Sequence, residues 1–121
     1  MRGRKLWMRL QAHGATVAVY VVKHIVNEGV ECDGIFYPDR NIIEIETRDN
    51  EAAMKMRLLH EILHVCFAAH TADALDQVLK DDNRDDRASH EEHIVGFLEP
   101  ILYSILAPSG CLKFPRPPRL T

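Results

Sequence analysis

Several things are scarce in this 121-residue chain, and each scarcity removes a class of protein. Cysteine occurs three times, at Cys32, Cys66 and Cys111, an odd number with no CxxC pair. This argues against a disulfide framework and for reduced thiols in a cytoplasmic setting. Long apolar runs are missing too. The stretch Val17 to Val22 is closed by Lys23 and is far too short to span a bilayer, and no small-residue cleavage site follows it as in a signal peptide. A cytoplasmic protein with no membrane partner is expected. A large excess of one charge is also absent: the net charge of −3 leaves no footprint for nucleic acid. There is no repeat and no internal linker, so residues 1–107 are expected to form a single domain. Residues 108–121, rich in proline, are expected to be a poorly ordered tail.

The first half reads as strand. KLWMRL and the β-branched run TVAVYVVKHIV fit strands, and GIFY-PDRN-IIEIE reads as a hairpin in which Ile43 and Ile45 alternate with Glu44 and Glu46. The second half reads as helix. Apolar residues recur at three- and four-residue steps from Asn50 to about Ala69, with Asn50 or Asp49 as N-cap. A second helix is expected from Ser89 to about Leu106, ended by Pro108 and Gly110 and kinked at Pro100. Its apolar stripe is Ile94, Val95, Leu98, Ile101, Leu102 and Ile105. Strands followed by helices predict an α+β fold: a small antiparallel sheet packed on the first helix and a second, C-terminal helix.

One stretch of the first helix concentrates chemistry. In HEILHVCFAAH, His60 and His64 lie one helical turn apart and can aim two imidazoles at one ion. Glu61 is one step round, placed to take a proton from metal-bound water without being a ligand. His70 has the spacing of the last histidine in HExxHxxGxxH, but Phe67 stands where that pattern has glycine. If the helix continues, His70 points roughly 80° away from His60 and about 120° from His64. The preferred third ligand is a carboxylate of the second helix. Glu91 falls on the apolar stripe, where a buried carboxylate needs a partner. Glu92, the next choice, lies about 100° away, and Ser89 with Glu92 matches a capping box that would engage Glu92 locally. His90 and His93 are remoter alternatives. Tyr37, Tyr103, His90 and His93 are also weighed as donors to a substrate carbonyl, and the strand Asn41 to Glu46 as an edge for an extended substrate. Cys66 is expected in the core, and the acidic segment Asp81 to Arg87 as a solvated connector.

With LLHEILH preceded by GIFYPDRNIIEIE and followed by EEHIVGFLEPIL, residues 34–106 resemble small gluzincin metallopeptidases of the ImmA/IrrE kind, especially compact versions common in phages and prophages. The resemblance implies zinc held by His60, His64 and Glu91, Glu61 as general base, and a protein or peptide substrate. It also implies the host cytoplasm as the compartment if the chain is phage-encoded. Some members cleave repressors. This chain has no helix-turn-helix segment, no EANxFA pattern and no aspartate four residues after Glu91, so only the site chemistry carries over. The resulting expectation is a zinc-dependent metallopeptidase hydrolysing peptide bonds, of open oligomeric state. The alternative is a zinc-stabilised, non-catalytic phage protein that binds a partner.

Overall fold

The computed structural model describes residues 3–12, 14–68 and 84–120, with only the backbone described over 84–89. Its architecture is α+β. Four strands, β1 (Arg4–Ala12), β2 (Ala15–Val22), β5 (Gly34–Tyr37) and β6 (Ile42–Glu46), form one sheet in the order β1-β2-β6-β5. β3 (Ile25–Asn27) and β4 (Val30–Cys32) make a separate two-stranded ribbon, and two helices follow, α1 (Glu51–Cys66) and α2 (Arg84–Ser109).

The sheet is mixed, where antiparallel pairing alone was expected. β1 with β2 and β5 with β6 are antiparallel, but β2 and β6 run parallel, from Ala18 opposite Ile42 to Val22 opposite Glu46. Parallel neighbours need a crossover connection, and the ribbon plus β5 provides it. The run that reads as one strand from Thr16 to Val26 therefore breaks at Lys23 and His24. Beyond the break the chain reverses through Glu28 and Gly29, both at positive φ, as a two-residue hairpin turn requires.

The core lies between one face of the sheet and α1. Alternate residues Val17, Val19 and Val21 of β2 and Ile43 and Ile45 of β6 are buried against Met54, Leu58 and Val65 of α1. Asn50 caps α1, its side-chain oxygen accepting from the backbone N–H groups of Ala52 and Ala53. The helical backbone persists through the cap residue Phe67, so the chain does not leave the helix there. His70 lies outside the described residues, as do Asp81 to Asn83 of the acidic segment. Cys66 is exposed instead of core.

α2 differs from expectation in its start and in its buried face. It begins at Arg84, so Ser89 sits inside the helix and cannot act as its N-cap. It passes through Pro100 and Pro108 and ends where Gly110 takes φ +79°, with the N–H groups of Cys111 and Leu112 donating to the Leu106 carbonyl. Val95 is fully buried, whereas Ile94, Phe97, Ile101 and Ile105 are exposed. The buried side runs through Val95, Leu98, Glu99 and Leu102. It is rotated roughly 60° around the axis from the stripe read off hydrophobicity.

The proline-rich segment after α2 is anchored against the fold. The Trp7 indole N–H donates to the Pro115 carbonyl, Lys5 Nζ donates to the Arg119 carbonyl, and Arg116 pairs with Glu51 at 2.6 Å. Phe114 and Leu120 pack on the core. Among the described residues, no helix is long and apolar enough to cross a membrane.

Candidate metal centre

The site forms where α1 meets α2. His60 and His64, one turn apart on α1, bring their ring centroids to 5.0 Å. Both residues' Nε2 atoms approach a single carboxylate, that of Glu92: His60 Nε2 lies 2.8 Å from Oε1 and His64 Nε2 lies 3.0 Å from Oε2. The ligand-type atoms of these three residues all fall within 4.8 Å of one another. Glu91, favoured from sequence, sits to one side, its Oε1 3.6 Å from His64 Nδ1. That is too long for a hydrogen bond and on the ring edge away from the convergence point.

Two physical reasons place Glu92 inside the group. A helix beginning at Arg84 leaves no capping box to hold Glu92. The rotation of the packed face also turns the line through Glu92 and Glu99, two turns apart, toward His60. Glu99 went unnoticed in the sequence. Its Oε2 lies 2.8 Å from His60 Nδ1, and its side chain is largely buried. A carboxylate accepts, so with Glu99 at Nδ1 the Nδ1–H form of His60 is the one that would leave the Nε2 lone pair for an ion. A usable signal existed: a lone carboxylate in the apolar run GFLEPIL, seven residues after Glu92 and on the same helical side.

The donor set could hold a metal ion. Two imidazoles and one carboxylate are ligands of catalytic zinc sites, which keep a fourth position for water. The two His–Glu92 separations of 2.8 and 3.0 Å are of ion-pair length, and the three donors lie within 4.8 Å of one another, close enough to be drawn onto one ion. No shared framework in a known protein underwrites this assignment: no family model, curated protein or solved structure matches the chain. The site therefore rests on its own geometry.

Glu61 is buried, 4% exposed, beside His60. Burial holds its carboxyl above the usual range, against the opposing pull of His64, His60 and Arg57. A carboxyl so placed has a raised proton affinity.

The site opens on a cleft of about 600 Å³. β5 forms one wall through Gly34, Ile35 and Phe36, and the floor carries His60, Glu61 and His64. β6, considered as a substrate edge, is interior to the sheet, and β5 is the terminal strand. Tyr37, Tyr103, His90 and His93 are not among the described residues lining the cleft. The Tyr37 hydroxyl instead donates to Glu44.

Proposed function

We propose that the protein is a zinc-dependent metallopeptidase whose site chemistry is that of the gluzincins. The observation that carries this reading is the convergence of His60, His64 and Glu92 beside the buried carboxyl of Glu61, at the floor of a cleft. When bound, zinc supplies Lewis-acid polarisation of a carbonyl and lowers the pKa of water toward neutrality. His60, His64 and Glu92 would hold it, and Glu99 would fix the ring of His60 through Nδ1. Glu61 would take the proton of the attacking water and pass it to the leaving nitrogen as the amide breaks. The wall formed by β5 supports binding of an extended polypeptide, whose main chain can pair with a terminal strand.

Metal analysis of protein purified without added zinc, joined to turnover assays on protein substrates, tests the reading. About one zinc per chain is expected, lost in His60→Ala, His64→Ala and Glu92→Ala. Glu61→Gln should keep the metal and lose turnover. Zinc retained in a His60→Ala, His64→Ala double variant overturns the metal site. Full biological effect in Glu61→Gln would instead point to a zinc-stabilised binding protein.

A further inference from the structure

The four-stranded sheet has two faces, and the candidate metal centre uses only one. Val17, Val19, Val21, Ile43 and Ile45 point toward α1, so the residues between them point the other way. The registers assemble that second face across all four strands. Leu6, Tyr20, Glu44 and Ile35 stand in one row, and Arg9, Ala18, Ile42 and Tyr37 in the next. α1 and the anchored tail pack on the first face, through Met54, Leu58, Phe114 and Leu120. On the second, Leu6 is 39% exposed, and Arg9, Gln11, Thr16 and the turn residue Arg40 are exposed as well.

Charge on this second face has the opposite sign to that in the cleft. Glu31, Asp33, Glu61, Glu91 and Glu92 line the cleft. The open face carries Arg4, Arg9 and Arg40, and its carboxylates are already engaged. Glu44 meets Arg4 at 3.5 Å and accepts from the Tyr37 hydroxyl, and Glu46 meets Arg48 at 2.9 Å. Among the described residues, no ion pair joins Arg9 or Arg40 to a carboxylate. With Asp39 of the neighbouring turn counted, the arginines still outnumber the carboxylates left unpaired. A chain of net charge −3 is thus basic on one side.

Two of these arginines are stacked on tyrosines. Arg4 Cζ lies 4.0 Å from the centre of the Tyr20 ring, and Arg40 Cζ lies 4.2 Å from that of Tyr37. Each ring supports one side of a planar guanidinium and leaves its other side and its N–H fork for a ligand. The fork matches phosphate oxygens, and guanidinium planes and aromatic rings both stack nucleobases. An acidic peptide would use the charges and leave the two stacks idle, whereas a single strand offers phosphates and unstacked bases together. We propose that the sheet face opposite α1 binds single-stranded nucleic acid, with Arg4, Arg9 and Arg40 on its phosphates and the Arg4–Tyr20 and Arg40–Tyr37 pairs under its bases. This does not depend on the metallopeptidase reading.

The test is fluorescence anisotropy of the full chain with a short labelled oligothymidylate and with an abasic strand of equal length, over a range of salt concentrations. Three phosphate contacts on a single strand predict a log–log salt slope of about −2. The abasic strand keeps the phosphates without the bases and should bind about tenfold more weakly or worse. The Arg9→Ala, Arg40→Ala double variant should bring the slope to about −0.7 and weaken binding on the order of 10- to 100-fold. The Arg4→Lys, Arg40→Lys double variant keeps the charges but loses the planes, and should retain the slope while losing the preference for the strand with bases. Glu92→Ala, on the other side of the sheet, should bind as wild type. Circular dichroism checks that each variant folds. No binding at low salt, wild-type affinity in Arg9→Ala, Arg40→Ala, or loss of binding in Glu92→Ala overturns the proposal. Equal affinity for the two strands overturns the stacking, and a polyglutamate peptide that competes as well as oligothymidylate makes the partner an acidic protein instead.

Discussion

The two helices that build the centre are held in different ways. α1 is wedged between the sheet and α2, with Met54, Leu58 and Val65 in the core and a side-chain cap at Asn50. α2 packs chiefly on α1 and leaves Phe97 and Ile105 more than half exposed. Two of the three proposed ligands therefore sit on a helix fixed by the main core, and the third on a helix fixed mostly by one neighbour. Pattern reading works where the hydrophobic core dictates orientation. It fails where a helix has a single packing partner and polar contacts help choose its rotation.

Each expected effect probes that contrast. The largest concerns the ligand from α2. Glu92→Ala should abolish stoichiometric zinc binding in chelator competition, while Glu91→Ala should change affinity by less than about tenfold, as suits an outer contact. The reverse ranking would restore Glu91 as the ligand and undo the rotation described for α2. Next comes the packing itself. Leu58→Ala, in the core, should cost about 2–5 kcal/mol in chemical denaturation, whereas Phe97→Ala should stay within about 0.5 kcal/mol. A large loss at Phe97 would mean that the outer face of α2 is covered. Smaller still is Glu99→Ala, expected to weaken zinc binding about 10- to 100-fold, or about 1.4–2.7 kcal/mol. Unchanged affinity would show that the contact with His60 Nδ1 does not orient the ring.

Legibility in the sequence followed the same division. The HExxH residues, the Asn50 cap and the hairpin through Pro38 and Asp39 were readable because each depends on neighbours within a few positions. The parallel pairing of β2 with β6 was not, since no local pattern encodes which distant strand becomes a neighbour. The start of α2 was misplaced because Ser89 and Glu92 mimic a cap that the longer helix does not use. Its face was misplaced because Ile94, Ile101 and Ile105 are apolar without being buried. The tail was read from proline content, although Phe114 and Leu120 carried the packing signal and Trp7 carried an indole N–H in need of an acceptor.

That anchored tail makes the two margins of the sheet unequal. At the β1 end the chain lays its own segment against Lys5 and Trp7, and Pro115, Pro117 and Pro118 bring no amide hydrogen with which to extend a ladder. At the β5 end the margin borders the cleft. Under the proposed function, an extended polypeptide would join the sheet at the β5 border, since the β1 end already carries a segment poor in amide hydrogens. The β5 border is also the one that shares a cleft with Glu61.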